Sequence, residues 1–175
     1  MNRHLLIALT RVACTVIFVF LAFNSLHRVW RRGEARFIAN ALRSLGVPGA
    51  TRAYGPEVLV SPARSAPFLA TLSPSCSSLG AILAFTAMAV FLLHGPPHRR
   101  LAAVLLASCA VAMANFVRIG LALGVGARYG EHAMVVFHDW VGTIIGLFSV
   151  LGGFTVFVFV LLPSNKRLLE AALAR

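Results

Sequence analysis

Arg118 interrupts a long apolar run, Leu101 to Ala127, that carries no other charged residue. An arginine at the bilayer centre costs about 2.5–3.5 kcal/mol on insertion scales, so it is rarely placed there without a partner or a task. Two reactive side chains stand where they can meet it: Cys76, just before the preceding apolar run, and His138, just before the following one. A nucleophile, a base and an anion-stabilising cation on one face are what covalent acyl transfer requires.

Each of the three has a chemical reading and a plainer one. Cys76 stands in Pro74-Ser75-Cys76-Ser77-Ser78, where proline and serine favour a helix start. Unpaired backbone amides there would stabilise a thiolate, the reactive form. Gly80 and Ala84 continue a small face that admits a neighbouring helix. The plainer reading is an interfacial cysteine without a role.

Arg118 follows Asn115 by three residues, one helical turn, so the two groups turn together toward a bundle interior and can stabilise a thiolate or an oxyanion. The alternatives are snorkelling or pairing with a carboxylate. Only five acidic residues exist, and none falls inside an expected span.

His138, in Phe137-His138-Asp139-Trp140, shares a helical face with Gly142 and Gly146, which permit close packing against a partner helix. A histidine at a helix start suits a general base. Asp139 could orient it or cap the helix, and His132 competes for the same task. The alternative is a solvated loop histidine. His4, His27, His94 and His98 read as interface or turn residues, and with candidate ligands spread over both sides of the membrane no metal site is expected.

These residues need a frame, and composition supplies it. The chain has 175 residues, 59% hydrophobic and 12% charged, a balance that leaves too little polar surface for a soluble exterior. The expected fold is all-α, a single membrane domain over 1–175 with four spans at about 5–26, 77–93, 101–126 and 140–162. The segment from Glu34 to Leu45 has Phe37, Ile38, Ala41, Leu42 and Leu45 at helical spacing and reads as an amphipathic helix on the membrane surface, ended by Gly46 and Pro48. It begins a 27–76 loop rich in glycine and proline, with β-prone Val58-Leu59-Val60 suggesting a hairpin.

The net charge of +11 is almost all arginine and clusters at span ends. It therefore suits lipid headgroups, not nucleic acid. Cys14 and Cys109 lie inside apolar runs and exclude a disulfide framework. The first span lacks a clear cleavage site and reads as an uncleaved anchor.

The basic 98–100 turn and the Lys166-Arg167 tail argue for a cytoplasmic N-terminus, while the arginines after the first span argue the reverse; the former is preferred. With four spans, the start of the second, the end of the third and the start of the fourth share one face. Arg118 then lies roughly 12 Å below the end of its span, at about 1.5 Å per residue.

In the order and spacing of Cys76-Ser77-Ser78-Leu79, Asn115-Phe-Val-Arg118 and His138 with Gly142, the chain resembles the exosortase/archaeosortase family of membrane cysteine transpeptidases. Residues 41–48 also look like that family's region before the cysteine, so the resemblance covers roughly 35–150. It implies a site of Cys76, Arg118 and His138 facing away from the cytoplasm, in the cell inner membrane. It further implies exported protein substrates carrying a C-terminal motif, a hydrophobic helix and a basic tail. No cofactor is implied. Ser78 departs from the family's usual glycine and would be expected to narrow the approach to the sulfur. A non-enzymatic subunit or small transporter, with Arg118 as a ligand or ion site, is the reading from another class.

Overall fold

A computed structural model of the chain describes residues 3–47, 49–62, 65–92 and 96–162. The elements run α1 (Arg3–Ser44), β1 (Ala50–Tyr54), β2 (Glu57–Val60), β3 (Phe68–Thr71), a 3-10 turn (Pro74–Cys76), α2 (Leu79–Ala87), α3 (Pro97–Tyr129), α4 (Glu131–Phe137) and α5 (Thr143–Leu161). Single π-turns, Met88–Leu92 and His138–Gly142, extend α2 and join α4 to α5. Pro48, His94 and the Lys166-Arg167 tail lie outside the described residues.

The protein is mostly helical, and three helices are long and apolar enough to cross a membrane: Leu5–Ser44, Pro97–Tyr129 and Glu131–Leu161. The expected second span is shorter. Nine α-helical and five π-helical residues cover about 20 Å, less than the roughly 30 Å of a hydrocarbon core.

Three expectations are corrected. The break between the 5–26 span and a separate 34–45 helix does not occur, because α1 continues through the arginines. Arginine is a good helix former, so the cluster marks a change of polarity and not a helix end. The stripe of α1 that becomes buried is Ala35, Ile38, Ala39 and Leu42, whereas Phe37 and Leu45 are exposed. This stripe packs on protein and does not lie on lipid.

The 49–75 segment, second, contains the suggested hairpin and adds a third strand to it. Its strands form an antiparallel sheet in the order β1-β2-β3, turning at Gly55 and pairing Val58 with Ala53 on one side and Ala70 on the other. The all-α class therefore holds for the helices and omits this small sheet. Val58, Val60, Ala70 and Leu72 face the α1 stripe and Ile119, Leu123 and Ala127 of α3, forming one core directly beside the site. A second core around Phe85, Ala107, Val111 and Phe157 holds α2, α3 and α5 together elsewhere.

Third, residues 127–139, which fall between the expected third and fourth spans and so would be a connecting loop, are helical except at Gly130. Its φ of +92° lets α3 end and α4 begin around one residue. A Cβ there would be strained by the backbone angle and would also lie 3.1 Å from Ser65 Oγ. This tight reversal lays α4 back along α3. Arg118 sits about 18 Å back from the turn and His138 about 12 Å on, a difference that an arginine side chain can bridge.

Candidate active site

The structure brings Cys76, His138 and Arg118 together. Cys76 Sγ lies 3.1 Å from His138 Nε2, and Arg118 Nη2 lies 3.3 Å from the same nitrogen. On the far side of the ring, Asp139 Oδ1 is 3.2 Å from Nδ1. A carboxylate accepts, so Nδ1 carries the hydrogen and Nε2 presents its lone pair to the thiol and the guanidinium. His132, the competing histidine, is exposed on the first turn of α4, and the imidazole that meets the sulfur is that of His138.

The positions differ from expectation in instructive ways. His138 does not begin a helix: it opens the π-turn inside the continuous segment Glu131–Leu161, so no helix dipole bears on it. Cys76 closes a 3-10 turn whose backbone N–H donates to Ser73 O. Its sulfur meets Ser73 Oγ at 3.0 Å instead of a fan of free amides. Ser73 Oγ also reaches Ser75 Oγ at 2.8 Å.

Asn115 turns toward the site, and its amide is taken up by protein groups. Its Nδ2 donates to Cys76 O at 2.9 Å and to Glu34 Oε1 at 3.3 Å, and its Oδ1 faces Arg118 Nη1 at 3.5 Å. It fixes the backbone of the cysteine and steadies the guanidinium.

Glu34 is the residue that sequence reasoning missed. It is only 2% exposed, and its Oε1 accepts from Ser78 N at 3.0 Å, Ser78 Oγ at 2.8 Å and Asn115 Nδ2. Glu34 lies beyond the expected 5–26 span, yet it is buried because α1 continues and carries it into the protein interior. A signal was present, since Glu34 lies one turn before Ile38 on the stripe that becomes core. Arg31, another turn back, donates from Nη1 to Leu72 O at 2.8 Å and ties α1 to the chain leading to Cys76.

Ser78 does not crowd the sulfur as expected. Its hydroxyl is buried between Glu34 and the indole N–H of Trp30, which donates to it at 3.3 Å. Ser77 Oγ accepts from Leu79 N at 3.3 Å at the start of α2. Gly142 and Gly146 share the expected face, and what they admit is Arg118: a Cβ at Gly142 would lie 3.5 Å from Nε, and one at Gly146 would lie 3.1 Å from Nη1.

Comparison with family models, with curated proteins and with solved structures finds no match for this chain. A cavity of about 220 Å³ opens beside the thiol. One wall is the chain Ala70–Ser73, the other comprises Val135, His138 and Asp139, and Ile119 and Leu123 lie on the α3 side. Among the described residues no cluster of histidine, cysteine or acidic side chains has the arrangement of a metal site.

Proposed function

We propose that this protein is a membrane-embedded cysteine peptidase or transpeptidase working through an acyl-enzyme on Cys76. The observation that carries the reading is the contact of one imidazole nitrogen with both the thiol, at 3.1 Å, and a guanidinium, at 3.3 Å.

In this mechanism His138 Nε2 takes the thiol proton, and the thiolate attacks a peptide carbonyl carbon. A C–S bond forms, and Arg118 stabilises the negative charge on the thiolate and then on the oxygen. Collapse breaks the C–N bond, and His138 returns its proton to the leaving amine. Water or an acceptor amine then attacks the thioester, giving its proton to His138, and Cys76 leaves as the thiol. Asp139 holds the ring tautomer, while Asn115, Ser77, Ser78 and Glu34 hold the nucleophile's backbone.

The substrates proposed are exported proteins bearing a C-terminal motif, hydrophobic helix and basic tail. The site would open on the extracytoplasmic side of the cell inner membrane, with α2 and its π-turn as a short fourth crossing that a locally thinned bilayer accommodates. The resemblance to exosortases and archaeosortases supports this finer reading, and three long apolar helices are compatible with it.

The test follows processing of a tagged exported protein with such a tail in host membranes. Cys76→Ala and His138→Ala should reach the membrane at wild-type levels and abolish cleavage. Arg118→Lys should fail as well, since lysine lacks the planar fork. Cleavage unchanged in Cys76→Ala would defeat the peptidase reading. The rival, a subunit or transporter using Arg118 as a ligand site, draws support from the buried Arg118 Nε, which has no partner among the described residues. That rival requires neither the thiol nor the imidazole.

A further inference from the structure

The sheet beside the site ends in a strand with one open edge. β3 pairs only with β2, in the antiparallel register Glu57 with Thr71 through Val60 with Phe68. Leu72 N donates to Pro56 O at 2.9 Å, one step along the same register. Hydrogen-bonded positions alternate along an antiparallel ladder, so Phe68, Ala70 and Leu72 turn their backbone groups to β2. The N–H and C=O groups of Leu69 and Thr71 turn the other way, and among the described residues no other strand pairs with that edge.

That edge faces the reactive thiol. Four consecutive residues, Ala70 to Ser73, line the cavity that also holds Cys76 and His138. Of these, Ala70 and Thr71 close β3 and Leu72 extends its ladder by one bond, so neighbours that face opposite ways line one cavity, which therefore runs along the strand's edge. Exposed edges are ordinarily covered or blunted, and this one instead forms one wall of the cavity and leads, through the 3-10 turn at Pro74–Cys76, to the sulfur.

We propose that the substrate is an extended peptide that adds to β3 as a fourth strand, recognised through its main chain and delivered carbonyl-first to Cys76. The proposal rests on the peptidase reading and names how that site holds its substrate. Main-chain pairing supplies affinity independent of sequence, and the Val135 side of the cavity meets the side chains. Each ladder bond fixes the register of the scissile carbonyl relative to the sulfur. An extended segment would be admitted and a helical one excluded, since a helix spends its own amides internally.

The experiment alkylates the full-length protein in detergent with Ala-rich pentapeptide chloromethyl ketones, and mass spectrometry follows the adduct on Cys76. Iodoacetamide, which has no main chain to pair, is the reference reagent. The parent peptide should react several-fold faster relative to iodoacetamide than it does with free cysteine. N-methylating its amides one at a time should slow it in alternation, about twofold to tenfold at every second residue and little between, the period of a strand. Thr71→Pro, which deletes an edge N–H and leaves the backbone ladder to β2, should lower the same ratio further than Thr71→Val, which loses only the hydroxyl's 3.4 Å bond to Glu57 Oε1. Uniform sensitivity, or none, along the N-methyl series overturns strand addition even with Cys76 reactive. Cys76 reacting with iodoacetamide no faster than free cysteine would instead indict the peptidase reading.

Discussion

Gly146 and Arg118 are fitted to one another: a Cβ on Gly146 would stand 3.1 Å from Nη1 and 3.5 Å from Cζ of the guanidinium. The missing side chain lets the arginine lie this close to α5. Gly146→Ala should shift the guanidinium by tenths of an ångström and lower cleavage modestly. Gly146→Val should displace it by about 1 Å and cost of the order of a hundredfold, the penalty for misplaced catalytic groups. Cleavage rate normalised to membrane-inserted protein reads both, and equal rates in the two variants would show that the contact is incidental.

Glu34 gathers three donors on one oxygen, and its second oxygen has no partner among the described residues. Glu34→Ala strands the Ser78 N–H, its hydroxyl and an Asn115 N–H in a buried place. At about 1–3 kcal/mol for a buried polar group left unsatisfied, partly relieved by rearrangement, the loss should be roughly 2–5 kcal/mol. Glu34→Gln keeps an acceptor in place and should lose less. Thermal melting in detergent orders the three proteins, and an alanine variant as stable as wild type would refute the anchoring role.

The chemistry was legible in the sequence where residue type alone limits what a position can be. Arg118 in an uncharged run and Cys76 and His138 at its neighbours' edges required only a shared face to meet, and they do. What resisted reading was where helices stop. Arginine after Leu26 and histidine and aspartate before Trp140 both look like boundaries by polarity, yet the helix continues through each, past Gly33 in the first case and with no breaker in the second. Gly130, a true breaker, sits where polarity alone suggests a loop. The β3 strand lies among prolines that mask its alternation, and Glu34 has the look of a surface residue until Ser78 and Asn115 cover it.

Packing away from the site gives a separate prediction. A Cβ on Gly153 would fall inside Val111 Cγ2 and touch Ala107 O and Phe85 Cε2 at 3.4 Å. Gly153→Ala therefore overpacks the junction of α2, α3 and α5, at a cost of about 1–3 kcal/mol. Melting temperature should fall while Cys76 alkylation per folded molecule stays at the wild-type rate. A parallel loss of thiol reactivity would mean that the two cores are not independent.

Asp139 and His138 make unequal contributions, and exposure decides by how much. The Asp139 side chain is 65% exposed against 32% for His138, so water can take the place of the carboxylate at Nδ1. Buried orienting carboxylates are worth far more than this one should be. Asp139→Ala is expected to slow cleavage by less than about tenfold, whereas His138→Ala removes the base itself and should cost about 10²–10⁴-fold. Impermeant maleimide gives a substrate-free check, because Cys14 and Cys109 lie on outward faces of span-forming helices and leave Cys76 as the reporter. Its labelling should slow sharply without the imidazole and only slightly without the carboxylate. If both substitutions slowed it equally, His138 would act only through Asp139, and the base assigned to this site would be wrong.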